Sequence, residues 1–299
     1  MQVLNLMVNG NLIVEYSARL NQKDGNDGKD IYIYDKKAKG LKPFLEGKNI
    51  ERYYYSQDGW LDYKPKEHYN SMFKELFESE KIMLINVVKD ICRFAYDDKG
   101  LYNSHTVINC VRYVKLDKAE HISPKNAINE IDLEYSQLFE YKSVLAILNS
   151  KLLNWYFYNF LSEGIHFYPN DVNLPITKNI ANNIILNILD DEIIKYTNEF
   201  YFIHNIFINL LSKEFTGINI TRKIKDYHRL TFIEFETELK KQKIELGLFK
   251  DKLKNQFETS KLKIVDILDI INKTENQINK LAYELNELTE EKIKIIEDS

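Results

Sequence analysis

The chain has 299 residues, of which 44% are hydrophobic, and a formal net charge of −4. Because a chain of this length and composition can bury a sizeable core, the disordered, collagen-like and mini-protein classes are excluded. The acidic balance excludes a strongly basic nucleic-acid-binding domain but allows a local basic surface.

The first part of the chain shows strand-like runs separated by turn clusters. Alternating β-branched and aromatic residues predict strands over residues 30–34, 81–88 and 106–116. Asp-Gly and Lys-Gly turn chemistry lies between them, in residues 21–30, 55–60 and 96–104. One helix is predicted from Tyr141 to Phe160, where apolar residues recur at helical spacing.

The distribution of proline predicts two regions. All five prolines lie at or before Pro175, and helical patterns dominate after it. Because proline interrupts helix interiors, we predict a mixed α/β region over residues 1–177 and an all-α region over residues 178–299. The predicted fold class is therefore α+β.

Two helical signals stand out in the second region. One helical pattern begins with the apolar residues Ile184, Ile188, Ile193 and Tyr196. Another helix is predicted to start near Thr231, because a glutamate occupies the capping-box position three residues later.

A heptad pattern closes the chain. Apolar residues recur every three or four positions from Ile264 to Leu288, with Thr274 as the polar exception. Leu239, Leu246, Phe249 and Leu253 show similar spacing, which predicts two long antiparallel helices that turn around Ser260 or Lys261. The seam packs either within the chain, as a hairpin or small bundle with coiled-coil-like contacts, or between two chains.

Catalytic motifs are weak in this sequence. It contains no G-x-G-x-x-G after a strand, no G-x-x-x-x-G-K, no H-E-x-x-H and no G-x-S-x-G. The two cysteines and six histidines lack metal-ligand spacing. Asp97-Asp98-Lys99 and Asp35-Lys36-Lys37 fit the short Asp-x-Lys nuclease pattern, but a chain with 29% charged residues produces such matches by chance. We predict no catalytic residue, metal or cofactor within this chain.

Four segments, in this order, resemble one family. They are LKPFLEGKNIERYYY (41–55), FESEKIMLINVV with FAYDDKGLYNSHTVINC (77–88 and 94–110), LAILNSKLLNWYF with FYPNDVNLPI (145–157 and 167–176), and INKLAYELNELTEEKIKIIE (278–297). The G-K-N-I-x-R-Y, L-N-S-K-L and L-T-E-E-K-I motifs carry the resemblance. Together the segments resemble the C-terminal target-recognition region of TaqI-like and type IIG adenine-specific DNA methyltransferases. That region is related to type I specificity subunits and to phage-defence methyltransferases.

The resemblance implies a division of labour. The mixed α/β region would read a short sequence in the major groove of double-stranded DNA, and the helices would dock an adenine-specific methyltransferase domain or subunit. In the family that domain usually precedes this region on the same polypeptide and binds S-adenosylmethionine, but its motifs are missing from this sequence. Two alternatives stay open, a free-standing specificity protein and a part of a longer enzyme. Residues 1–40 fit the resemblance least well.

Candidate DNA-binding residues follow from the chemistry of the matched segments. Cations contact phosphates, whereas directed donors, acceptors and aromatic rings read bases. The cationic candidates are Lys48, Arg52, Arg93, Lys99 and Arg112. The base-reading candidates are Tyr54, Trp60, Tyr102, Asn103, Ser104 and His105.

Other features predict the cellular setting and one alternative function. The chain lacks an apolar run of the roughly 18 to 20 residues that a membrane helix needs. Its start lacks a signal-peptide pattern, and its cysteine usage is typical of a reducing cytoplasm. We therefore expect a bacterial cytoplasmic protein without a membrane partner. The alternative function is an interaction scaffold that forms a homodimer through the C-terminal heptads.

Overall fold

A computed structural model describes residues 4–5, 12–16, 32–67, 72–88, 91–120, 133, 136–161 and 175–299. The predicted turn at residues 21–30 lies outside these residues, as does most of the matched segment 167–176. The chain divides into two compact units, Met1–Asp191 with Gln277–Ser299, and Glu192–Asn276. The α+β fold class is confirmed, because mixed sheets precede long C-terminal helices. The boundary at residue 177 stays a prediction.

The first unit contains the strands of the described residues. They are β1 (Leu4–Asn5), β2 (Leu12–Tyr16), β3 (Ile33–Tyr34), β4 (Lys42–Leu45), β5 (Ile50–Glu51), β6 (Tyr54–Tyr55), β7 (Gly59–Leu61), β8 (Lys81–Ile85), β9 (Phe94–Asp97), β10 (Tyr102–Asn103), β11 (Val107–Arg112) and β12 (Pro175–Ile176). Two four-stranded sheets have the orders β2-β11-β8-β9 and β10-β4-β7-β3, and two further pairs are β1-β12 and β5-β6.

The β2-β11-β8-β9 sheet is antiparallel throughout. All five residues of β8 are buried, and β11 is buried from Val107 to Val111. Such continuous burial is typical of a strand covered on both faces. The predicted strand over residues 106–116 ends earlier than expected, because a short helix, α2 (Tyr113–Leu116), follows Arg112 directly.

The β10-β4-β7-β3 sheet has a small aromatic core. Phe44, Leu61, Phe77 and Tyr102 are buried together. The rings of Phe77 and Tyr102 stack with their centroids 4.6 Å apart. Phe77 belongs to α1 (Lys74–Glu78), so this helix covers the sheet.

The predicted helix over residues 141–160 is broken in two. The first piece, α3, spans Tyr141–Leu148 and the second, α4, spans Lys151–Tyr156, followed by a π-helical turn over Phe157–Leu161. Ser150 caps α4 by accepting a hydrogen bond from the backbone N–H of Leu153. Local side-chain bonding by Asn and Ser competes with helix continuation, so the interruption falls at these residues.

The remaining helices follow β12. They are α5 (Ile184–Glu214), α6 (Arg222–Lys225), α7 (Phe232–Lys241), α8 (Lys250–Leu285) and α9 (Glu290–Glu297). In the second unit α5, α7 and α8 share one aromatic core, in which the Phe207 ring lies 4.2 Å from Tyr227 and 6.1 Å from Phe257 between centroids. The predicted helix start at Thr231 is confirmed, with both hydrogen bonds of the capping box formed to Glu234.

The predicted turn between two long antiparallel helices was wrong. No turn occurs at Ser260 or Lys261, because α8 runs through both residues without interruption. Its packing partner is instead α5, through the shared aromatic core. The helical pattern that begins at Ile184 is confirmed, because α5 starts at this residue. Ile184 and Ile188 are 71% and 60% exposed, whereas Leu186 and Ile193 are fully buried.

Asp190 in α5 is fully buried, and neither of its carboxylate oxygens has a hydrogen-bond partner among the described residues. Burial raises the pKa of this carboxyl well above its ordinary value; Asp191 adds to this change and Lys142 opposes it. The pKa of this carboxyl is therefore higher in the folded protein than in the unfolded chain. Its contribution to the free energy of unfolding is complete at a pH below the pKa of the unfolded chain. That contribution is lost as the pH rises through the pKa of the folded protein.

We expect Asp190→Asn to increase the free energy of unfolding at neutral pH by about 1–3 kcal/mol, because it removes an uncompensated buried charge. The increase should shrink as the pH falls, since acid neutralises the wild-type carboxyl. Urea denaturation at neutral and mildly acidic pH measures both effects. Glu199→Gln changes an exposed carboxylate on the same helix and is the control; an equal gain for Asp190→Asn at both pH values would argue against this account.

Candidate nucleic-acid interface

The β5-β6 hairpin is held against β9. Arg52 and Tyr53 form its two-residue turn, and Tyr53 adopts a φ of +61°, a left-handed conformation that is costly for a bulky residue. Tyr53 is nevertheless 4% exposed, and its backbone N–H donates to the carbonyl of Phe94 over 2.9 Å. Burial and this bond therefore fix the turn in place.

The turn that precedes the hairpin is fixed by Gly47 and Asn49. A Cβ atom on Gly47 would lie 2.8 Å from the Thr106 carbonyl oxygen, so only glycine fits there. The Gly47 N–H donates to Thr106 Oγ1 over 2.8 Å, and the Asn49 side chain accepts from the Glu46 N–H over 3.1 Å. These bonds hold the loop around His105 next to Lys48.

Asn149 joins two of the matched motifs. Its side-chain amide accepts from the Phe94 N–H over 3.2 Å and donates to the Phe94 carbonyl over 2.9 Å. Its own carbonyl accepts from Arg52 Nη2 over 2.7 Å. Arg52, a predicted phosphate contact, therefore anchors the turn of the hairpin to the residue that follows α3.

The matched segment 278–297 contacts the L-N-S-K-L motif through Lys151. The backbone N–H of Lys151 donates to Asn279 Oδ1 over 2.8 Å, and its ammonium pairs with Glu297 in α9. The Tyr283 hydroxyl donates to the same glutamate over 2.6 Å. The G-K-N-I-x-R-Y motif, the L-N-S-K-L motif and the segment 278–297 thus form one continuous network inside the first unit.

Five predicted DNA contacts surround this framework. We call Lys48, Tyr54, Arg93, Lys99 and His105 the hairpin surface. Lys48, Lys99 and His105 are exposed, and Tyr54 and Arg93 are partly buried. They lie on the β5-β6 hairpin or on the turns and strand ends packed against it.

Carboxylates neutralise part of the hairpin surface. Lys48 Nζ lies 2.8 Å from Asp58 and 3.3 Å from Glu46, and Arg93 Nε lies 3.4 Å from Glu51. The hydrogen bond that Lys48 donates to the Asp58 carboxylate raises the pKa of Lys48, so this side chain stays cationic. Lys99 Nζ lies 5.8 Å from the centre of the Tyr55 ring. The sequence patterns did not indicate Asp58 as a partner of Lys48 or Glu51 as a partner of Arg93, because these pairs form only when the chain folds.

The buried candidates have structural roles. Tyr102, Asn103 and Ser104 are each 1% exposed. The Tyr102 hydroxyl donates to Glu78, Asn103 exchanges side-chain hydrogen bonds of 2.7 and 3.1 Å with Asn109, and Ser104 bonds to Thr106. These side chains hold the loop that presents His105, and their burial does not favour direct contact with bases.

The two remaining candidates lie elsewhere in the first unit. Arg112 ends the strand that begins near His105, about 17 Å away at 3.3–3.4 Å per residue. Its guanidinium donates to the Ser136 carbonyl over 2.8 Å and faces the Tyr141 ring. Trp60 lies in β7 with Lys37 Nζ 5.2 Å from its ring centre. The structure therefore does not bring Arg112 to the hairpin surface.

Asp97, the candidate nuclease carboxylate, is fully buried. It pairs with the buried ammonium of Lys81 and accepts from the N–H groups of Lys99 and Leu101 over 2.9 and 2.8 Å. Burial lowers the pKa of Lys81, and Asp97 opposes this change. The carboxylate organises the turn after β9 and has no free face for a metal.

The other nucleophilic or metal-binding side chains of the described residues are buried or are not grouped together. Both cysteines are free and buried, and burial raises the pKa of the Cys92 thiol to about 12. No three His, Cys, Asp or Glu side chains of the described part of the chain are grouped as metal ligands. None of the helices described there combines the length and apolarity needed to cross a bilayer.

Comparisons with known families agree with the motif network. Residues 42–176 match the family described as the TaqI-like C-terminal specificity domain. Residues 177–282 match a family described as a domain of unknown function (DUF8810). No curated protein matches the chain. The first match confirms the resemblance and supports a role in DNA recognition within restriction–modification enzymes.

Proposed function

We propose, from the premise that residues 42–176 are a TaqI-like C-terminal specificity domain, that this region reads a short sequence of double-stranded DNA for an adenine-specific methyltransferase. The single observation that carries the proposal is this family match. The hairpin surface is the proposed place of contact, because it gathers exposed cations and an exposed imidazole on a rigid framework.

The cations of the hairpin surface can exchange a carboxylate partner within the protein for a DNA phosphate. Lys48 is 64% exposed in its side chain, and its partner Asp58 is 33% exposed. Exposed ion pairs contribute only about 0–1 kcal/mol. A DNA phosphate can therefore replace Asp58 as the partner of Lys48 at small cost, while the acidic neighbours weaken non-specific binding.

Base recognition would rest on the loop that Gly47 and Thr106 hold in place. His105 is exposed at its tip, and its imidazole carries a donor and an acceptor. Tyr54, on the neighbouring hairpin, adds a ring and a hydroxyl. Because buried polar groups support the loop from below, a base-reading side chain there would be presented in one orientation.

Lys48→Ala and Lys99→Ala are expected to weaken binding to all duplex sequences about equally, because phosphate contacts carry no sequence information. Each variant should lower the slope of log affinity against log salt concentration by about 0.9. His105→Ala should instead change the preferred bases. Fluorescence anisotropy with labelled duplexes over a salt series measures these effects.

Lys280→Ala is the matched control, since Lys280 is exposed on α8 and lies outside the matched domain. It should leave affinity and salt slope unchanged. Wild-type slopes for both Lys48→Ala and Lys99→Ala would exclude the hairpin surface as the phosphate contact, even if the chain binds DNA elsewhere.

The catalytic partner completes the proposal. We infer that the methyltransferase, with its S-adenosylmethionine, resides on a separate domain or subunit docked by the helical region over residues 178–299. The system would belong to the type IIG or phage-defence class in the bacterial cytoplasm. Copurification of the chain with an adenine methyltransferase, abolished by removal of the helices, would support this partner.

Self-association is the second candidate function. Ile264 and Ile278 of the heptad seam are already buried within one chain. A dimer would therefore use apolar side chains that stay exposed, such as Phe202 and Leu262. Sedimentation equilibrium distinguishes a monomer from a homodimer directly.

A further inference from the structure

A lysine-rich turn follows the edge strand β3. Lys36, Lys37 and Lys39 are all exposed, with Asp35 as the single carboxylate of the turn. Gly40 closes it with a φ of +89°, a conformation that favours glycine. Leu41 N–H donates back to the Ala38 carbonyl over 3.3 Å. The turn therefore projects three lysines from one short, closed segment.

These three lysines differ from most other cations near the same sheets. Lys42, Lys48, Lys64, Lys81 and Arg93 each have a carboxylate within 4 Å. No such partner lies near Lys36, Lys37 or Lys39 among the described residues. In a chain with a net charge of −4, this turn is a local basic surface without internal neutralisation.

An aromatic pair lies beside the turn. Tyr34 in β3 is directly opposite Trp60 in β7, so both side chains lie on one face of the sheet. Gly59 and Leu61 are buried, whereas Trp60 is only partly buried and Tyr34 is 46% exposed. Lys37 Nζ lies 5.2 Å from the centre of the Trp60 ring. The cation–π contact with Trp60 orients the Lys37 ammonium, and a lysine ammonium suits a DNA phosphate.

The turn is structurally continuous with the hairpin surface. Trp60 pairs with Pro43 in β4, and the Asp58 N–H donates to the Phe44 carbonyl over 2.9 Å. The Asp58 carboxylate in turn contacts Lys48. Strands β4 and β7 thus connect the two basic surfaces through direct hydrogen bonding.

We propose that Lys36, Lys37 and Lys39, beside Tyr34 and Trp60, form a second contact with the phosphates of the same DNA duplex, outside the recognised sequence. This inference rests on the proposed function. The contact increases affinity for any flanking sequence, because it engages the backbone only.

The test replaces all three lysines with alanine. The triple variant should bind the duplex enriched by the wild-type chain with a salt slope lower by about 2 to 3, since each phosphate contact contributes about 0.9. Its preferred motif should be unchanged. Shortening the flanks of the duplex should weaken the wild type more than the triple variant.

A control variant replaces Lys254, Lys273 and Lys280 in α8, which are equally exposed and alter net charge by the same amount. Circular dichroism melting checks that both variants fold. If the Lys36/Lys37/Lys39 variant binds DNA with the same salt slope as the wild type, this inference is overturned, but the proposed function is not. Absence of binding by the wild type to every duplex would overturn the proposed function and this contact with it.

Discussion

Asp97→Ala is expected to lower the free energy of unfolding by about 3–5 kcal/mol, because it leaves the Lys81 ammonium buried without its partner. Both side chains are 0% exposed. The variant also removes acceptors for the N–H groups of Lys99 and Leu101, which close the turn after β9. Urea denaturation followed by circular dichroism measures the loss.

Asp98→Ala is the control, because Asp98 is the exposed neighbour in the same turn. It should change stability by less than about 0.5 kcal/mol. The double variant Lys81→Met/Asp97→Leu should recover part of the loss, since an apolar pair removes the uncompensated charge. Equal stabilities of Asp97→Ala and Asp98→Ala would show that the buried pair has no structural role.

Asn149→Ala is expected to lower the free energy of unfolding by about 2–3 kcal/mol. The substitution removes two buried side-chain hydrogen bonds and leaves the Phe94 N–H without its acceptor, which costs about 1–3 kcal/mol by itself. Because Arg52 donates to the carbonyl of the same residue, the hairpin should also lose rigidity. Hydrogen exchange at Phe94 and Tyr53 reports both effects.

Asn159→Ala offers a matched control in the π-helical turn after α4. Its side chain donates to the Trp155 carbonyl, but the residue is exposed. The loss there should be within about 0.5 kcal/mol. If Asn149→Ala and Asn159→Ala destabilise the chain equally, Asn149 does not anchor β9.

The sequence correctly predicted the strands and the helix start that depend on residues close together in the chain. The strands at Lys81–Ile85 and Val107–Arg112 are buried on both faces, so their β-branched runs reflect the sheet directly. The start of α7 at Thr231 was predicted because the capping box needs only residues three positions apart.

Long-range contacts explain what the sequence patterns missed. Arg52 and Asn149 are separated by 97 positions, and no local pattern shows that the first donates to the second. The turn expected at Ser260 is replaced by continuous helix, in which the partly buried Ser260 forms a hydrogen bond with the hydroxyl of Tyr227. Neither serine nor lysine breaks a helix by itself.

Exposure in the structure divides the predicted DNA-binding residues into two groups, whose contact with DNA stays a prediction. Loop chemistry indicated Lys48, Lys99 and His105, which the structure exposes on neighbouring segments. Tyr102, Asn103 and Ser104 belong to the same sequence stretch but are buried by partners as distant as Glu78 and Asn109. The direction in which a loop side chain points depends on such distant partners. The spacing of residues in the sequence does not identify these partners.

Selection from a random pool of duplex DNA at about 150 mM salt, where purely electrostatic binding is weak, tests the central claim most directly. Sequencing of the retained DNA should give an enriched motif of several base pairs. His105→Ala should alter that motif, and the Lys36/Lys37/Lys39 variant should keep it. Retained DNA with the base composition of the starting pool would contradict the assignment of this chain as a sequence-specific reader.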